Sequence, residues 1–210
     1  MSSIPSGYRA YETQYPGVLE TIGAVLYDTV QYVSGSTTSL QLFNSTRSTI
    51  DLSNMEAAGQ LPYPKSFLIR AVRFYIKQIP RSQDQAGTQN VQTGALANVA
   101  RLINTGVFTL QIGAKPYFQY PLWALPSGGG VFPAMGLTNI AAGTPIVGTV
   151  VDAGVNGLPD ARAVLTLTKP ILIGPQINFV GLLEWPSAVT LTGDLYITVC
   201  FDGDLTRPVQ

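Results

Sequence analysis

Apolar and polar residues alternate in several long runs of this chain, and the clearest run lies close to the C-terminus. In LTGDLYITVCFDGDLTRPVQ, Leu191, Leu195, Ile197, Val199 and Phe201 fall on one face of an extended backbone. Thr192, Asp194, Tyr196, Thr198 and Cys200 fall on the other. A strict period of two specifies a strand with one buried face. The stretch GDLYITVCFDG is therefore expected to pair inside a sheet begun much earlier in the chain. Asp202-Gly203 reads as a turn after it, and LTRPVQ as a tail that leaves the barrel and helps to fix neighbouring subunits. Cutting after Gly203 is then expected to leave a folded subunit that assembles poorly.

The run KSFLIRAVRFYIKQI, from Lys65 to Ile79, predicts a second long strand. Leu68, Val72, Phe74 and Ile76 share one face, and Arg73, Tyr75 and Lys77 the other. VFTLQIGAK adds a strand with Phe108, Leu110 and Ile112 on one side, followed by the short segment YFQYPLWAL. ARAVLTLT and ILIGPQINFVGLLEW read as two further strands, and SLQLFN as a short one. One stretch breaks the pattern: in GALANVARLINTG, Leu96, Val99, Ala100 and Ile103 make a helical stripe, with Gly106 as its stop. Leu19, Ile22, Leu26, Val30 and Val33 also recur near helical spacing, but Val, Ile, Thr and Tyr are enriched there, so strand or mixed structure is expected.

The pattern is all-β, about eight strands with one short helix and long loops, which suits a sandwich or a jelly roll. The organisation expected is an N-terminal arm over residues 1–35, its first fifteen or so flexible, and one jelly-roll domain over 36–210. The predicted core holds Leu68, Val72, Phe74, Ile76, Phe108, Leu110, Ile112, Leu195, Ile197 and Val199. The Gly/Pro/Ala-rich excursion from Pro126 to Gly157 is expected at a surface or subunit contact.

Composition sharpens this. Of 210 residues, 46% are hydrophobic and 11% charged, against roughly 25% charged in ordinary soluble domains. So few charges leave surface that is best buried against other subunits. Formal net charge is zero and no basic run occurs, which disfavours direct nucleic-acid binding. The single cysteine, Cys200, excludes an intrachain disulfide framework and fits a reducing compartment, as a half-buried filler in the last strand. No signal peptide is read at MSSIPSGYRAYETQYPG. The uncharged stretch from Pro116 to Val151 is interrupted by Pro121, Pro126, Pro133, Pro145 and Gly128–Gly130, so no spanning helix is expected there.

Candidate chemistry is sparse. With no histidine, the Ser-His-Asp and Cys-His arrangements and the commonest metal ligand are missing. Asp202 and Asp204 around Gly203, and Asp152 and Asp160, read as turn chemistry, because DGDLT lacks the further acidic ligands of a calcium loop. PSGGGVF lacks the Lys-Ser or Lys-Thr of a phosphate cradle, and Asn44-Ser45-Thr46 matters as a glycosylation acceptor only in a secreted protein. YFQYPLW could stack on bases or sugars, but Lys115 is its one basic neighbour in sequence, so packing is the expectation. No enzyme activity, catalytic residue, cofactor or metal is expected.

Four stretches, NMEAAGQLPYPKSFLIRAVRFYI, INTGVFTLQIGAKPYFQYPLWALPSGGG, PILIGPQINFVGLLEWPS and DLYITVCFDGDLTRPVQ, together resemble the jelly-roll major capsid proteins of tailless icosahedral bacteriophages, including those with an internal membrane. The resemblance implies a structural virion protein, made in the host cytoplasm, that self-assembles into an icosahedral shell. It implies contacts with copies of itself, with other capsid or vertex proteins, and with a lipid layer beneath. The chain departs from genome-lining arms: only Arg9 precedes Arg47. A carbohydrate- or receptor-binding β-sandwich of a phage fibre or adhesin is the alternative, and a cupin-like enzyme ranks last, since cupin metal sites are built from histidine.

Overall fold

A computed structural model of the chain describes residues 17–46, 49–77, 95–125, 132–135, 152–155, 164–191 and 193–209. The strands are β1 (Leu19–Tyr32), β2 (Ser39–Leu42), β3 (Ser66–Lys77), β4 (Val107–Ile112), β5 (Lys115–Pro121), β6 (Phe132–Met135), β7 (Asp152–Val155), β8 (Leu165–Ile173), β9 (Phe179–Glu184) and β10 (Leu195–Pro208). One helix, α1 (Ala95–Thr105), precedes β4, and a single 3-10 turn, Leu122–Ala124, follows β5. Two antiparallel four-stranded sheets form, in the orders β1-β10-β3-β8 and β2-β9-β4-β5. They face each other as a sandwich. It is not a closed barrel, because β1 and β8 end one sheet and β2 and β5 the other, with no ladder joining these edges.

The pairings nest. β4 pairs with β5, β3 with β8, β2 with β9 and β1 with β10. The β6–β7 ribbon stands apart from both sheets, in the connection between β5 and β8, and β7 lies beside α1. The remainder of the Pro126–Gly157 excursion, including Gly128–Gly130, lies outside the described residues, as do residues 1–16 of the expected arm.

Division at residue 36 does not describe the sheet. Leu19–Tyr32 is a full-length partner of β10, in unbroken register from Leu19 opposite Pro208 to Tyr32 opposite Leu195. Leu26, Asp28, Val30 and Tyr32 are its buried inward face, so the near-helical spacing of its apolar residues gives way to fourteen ladder positions.

β10 also runs further than expected. Asp202-Gly203 is no turn, and Leu205 and Thr206 pair with Phe67 and Ser66 on one side while Thr206 and Arg207 pair with Thr21 and Glu20 on the other. The LTRP segment thus belongs to a central strand of this subunit. Where a turn was expected, β3 carries a bulge: Ala71 faces Asp202 and Ile69 faces Gly203, so Arg70 has no opposite residue. The extra residue reverses the inward face of β3 from Val72, Phe74 and Ile76 to Phe67 and Ile69. Leu68 is buried, yet it stands on the opposite side of the sheet from the core that Phe67 and Ile69 enter. The other nine predicted core residues are all buried in the central cluster.

ILIGPQINFVGLLEW is not one strand. Ile171–Ile173 completes β8, and Phe179 opens β9. Between them Gln176 takes a positive φ of 56°, and its N–H donates to the Leu61 carbonyl at 2.8 Å.

Aromatic side chains from both sheets fill the interior. Phe201 of β10 stacks on Phe43 at 4.8 Å between centroids and approaches Phe108 of β4 at 6.3 Å. Fully burying each such ring contributes about 1.5–3 kcal/mol. Phe43 itself sits at φ 65°, a conformation unfavourable for a side chain of its size. It is held there by the buried Asp28, whose Oδ2 accepts from the Phe43 N–H at 2.6 Å, and by Gly59, whose N–H donates to the Phe43 carbonyl at 2.7 Å. At the end of α1, the carbonyl of fully buried Leu102 accepts from Trp185 Nε1 at 3.1 Å. The buried face of α1 therefore centres on Asn98 and Leu102, with Val99 and Ile103 packing beside them. The helical stripe read from the sequence omitted Leu102. No helix among the described residues is long and apolar enough to cross a membrane.

Candidate interaction surfaces

The residues singled out in the sequence do not converge on one centre. Asp202 and Asp204 lie on the outer face of β10 and meet arginines of β3 rather than a ligand. Arg73 grips Asp202 with two bonds, Nε–Oδ2 at 2.6 Å and Nη2–Oδ1 at 2.8 Å. Arg70, the bulge residue, donates from Nε to Asp204 Oδ2 at 2.8 Å. The Asp202 hydrogen bond holds the Arg73 guanidinium above its ordinary pKa, against the opposing effect of burial. Asp152 lies in β7, and Asp160 falls outside the described residues. Cys200 is half-buried on the same outer face, between Tyr27 and Arg73 in register. Asn44 is exposed and donates from Nδ2 to Gln41 Oε1 at 2.8 Å. Among the described residues, no three Cys, Asp or Glu side chains come together as a metal site would need.

The aromatic segment after β4 forms a different kind of place. β5 is the outermost strand of its sheet and pairs only with β4. Pro116 and Pro121 lack the N–H that a further strand would use, which blunts this edge. Within β5, Leu110 faces Phe118 and Gln111 faces Pro116, so Tyr117 is an unpaired bulge residue and stands 54% exposed. Phe118 turns inward. Tyr120 stacks on Phe118 at 4.6 Å with 21° between the rings, while remaining 42% exposed.

β8 is the outermost strand of the other sheet. Opposite the single residue Arg70 it carries Leu167, Thr168, Lys169 and Pro170, because Ile171 faces Ile69 and Thr166 faces Ala71. This wide bulge pushes Thr168 and Lys169 outward, and both are exposed. The edges of β5 and β8 border an open cleft of about 1120 Å³, larger than the roughly 300–1,000 Å³ of most ligand sites.

The charges of the cleft are distinctive. Its described lining includes Lys115 and Lys169 and no carboxylate. Elsewhere among the described side chains, cations have partners: Lys65 pairs with Glu56, Arg70 with Asp204, Arg73 with Asp202 and Arg207 with Glu20, and Arg101 donates to the Thr190 carbonyl. Lys115 and Lys169 make no such bond among the described residues. Sequence reasoning found Lys115 and the tyrosines but not Lys169, whose position depends on β8 folding back alongside β3.

No family profile, curated protein or solved structure matches the chain.

Proposed function

We propose that this chain is a shell-forming capsid protein built on a jelly roll. The observation that carries the reading is the nested strand order. Apart from the separate β6–β7 ribbon, every connection except β4–β5 crosses from one sheet to the other, and the pairs β1·β10, β2·β9, β3·β8 and β4·β5 follow one another along a single folded ribbon. A long two-stranded ribbon rolled over itself is the jelly-roll arrangement, with its two Greek keys, that viral capsid, lectin and cupin domains share. Among those classes, the composition favours the shell: with 11% charged residues, the chain has much surface suited to burial between subunits. The exposed Tyr75, Trp123 and Val18 are in keeping with such contacts. The chain is then a structural protein rather than an enzyme. Its partners are copies of itself, with other capsid or vertex proteins and a lipid layer as further contacts, and its place is the virion.

Electron microscopy of the purified protein, across a range of concentration and ionic strength, tests this. Closed shells or regular arrays of capsomers are the expected result. A particle that stays monomeric throughout, by microscopy and light scattering together, overturns it.

A further inference from the structure

We propose that the cleft between β5 and β8 binds an acidic oligosaccharide, with Lys115 and Lys169 taking its anionic groups and Tyr117 and Tyr120 presenting faces to its sugar rings. Four observations converge. Among the described cationic side chains, the two lysines are those with neither a carboxylate nor a carbonyl acceptor, and both line this one cleft. Two like charges lining one cleft without compensation are unfavourable in the free protein, and an anionic ligand relieves this. Tyr117 and Lys169 are both bulge residues, on edge strands of different sheets, and bulges re-aim side chains beside functional sites. Gln119, Thr166 and Thr168 add exposed amide and hydroxyl groups that can match sugar hydroxyls.

Charge count selects the ligand class. Single-stranded nucleic acid also stacks on aromatic rings, but it brings one phosphate per nucleotide and is held by grooves with many cations. Two lysines on a chain of zero net charge match a ligand with one or two anionic groups. The open shape and the volume of about 1120 Å³ suit several linked rings rather than a small ion. The inference stands whether or not the chain forms shells, since a dispersed subunit presents the same cleft.

The full-length protein is titrated by calorimetry with sialyllactose, digalacturonate and a sulfated disaccharide, with lactose as the neutral control and an oligouridylate as the nucleic-acid control. Saturable binding of at least one acidic sugar, at least about tenfold tighter than lactose, is expected. Lys115→Glu and Lys169→Glu, both at exposed positions, should each weaken it by about tenfold or more with an unchanged circular dichroism spectrum. Tyr117→Ala should weaken it as well. The proposal is overturned if none of the acidic sugars binds saturably, if the lysine variants bind as the parent does, or if the oligouridylate binds more tightly than every sugar. Shell formation is scored on the same samples by microscopy, so failure here and failure of the shell reading are separate results.

Discussion

Gly203 shows how closely two backbones approach in this sheet. A Cβ at that position would lie 1.9 Å from the Leu68 carbonyl oxygen and 2.9 Å from its carbon, and neither atom belongs to a flexible side chain that could move away. Gly203→Ala should therefore lower stability by about 2–4 kcal/mol, read as a fall in the urea midpoint with unchanged slope. Gly23 serves as the control: a Cβ there meets nothing within 4 Å, and Gly23→Ala should shift the midpoint little. Equal effects of the two changes would refute this account of the bulge. Tyr27 gives a test in pH. Burial, followed by the neighbouring Cys200 and Asp51, raises its phenol above the ordinary tyrosine range. Once pH passes about 10, the unfolded chain releases this proton while the folded one retains it, so stability falls as pH rises through that window. Below the window the group contributes no slope. Tyr27→Phe should flatten the alkaline decline seen in chemical denaturation, and parallel curves for the two proteins would count against it. At this scale the sequence revealed which side chains are apolar but not which are trapped. Asp28 looks like an ordinary polar position in LETIGAVLYDTVQY, and the Phe43 N–H that returns beside it is a partner for this fully buried carboxylate that the pattern does not reveal.

Among the elements, alternation made β3, β4 and β10 legible, because a half-buried strand must repeat every two residues. The bulges were not legible. One unpaired residue, Arg70, reverses the buried face without changing composition, which is why Leu68 was assigned to the core and Phe67 and Ile69 were not. The extent of β10 was hidden for a related reason: DGD resembles a turn until Arg73 and Arg70 of the neighbouring strand are seen to pair with its two carboxylates. The lysine pair of the cleft was hidden too, since its members sit on edges of different sheets. The longer β10 reverses the expectation for truncation. Ending the chain after Gly203 removes ladder positions from β1 and β3 together and exposes the inner faces of Phe67 and Ile22 at that end. The truncated protein should lose most of its cooperative unfolding transition and its ordered β signal by circular dichroism. A stable, cooperative truncation that merely fails to assemble would restore the tail reading.

For the whole molecule, the nested ribbon ties the earliest described strand to the last. Leu19 faces Pro208 and Val209 donates to the Val18 carbonyl at 3.0 Å, so the outer ends of β1 and β10 leave the sandwich at one corner. This arrangement decides how the fold answers a mechanical load. Pulling residues 18 and 209 apart loads the ladder at its first rung, and each hydrogen bond bears the force in turn, as in a zip. Pulling instead between residue 32, at the far end of β1, and residue 209 slides the two strands lengthwise and loads many rungs at once. With the same strands and the same bonds, the first geometry should yield at a markedly lower force in single-molecule stretching than the second. A subunit built this way resists sliding within its sheet far better than peeling at its corner.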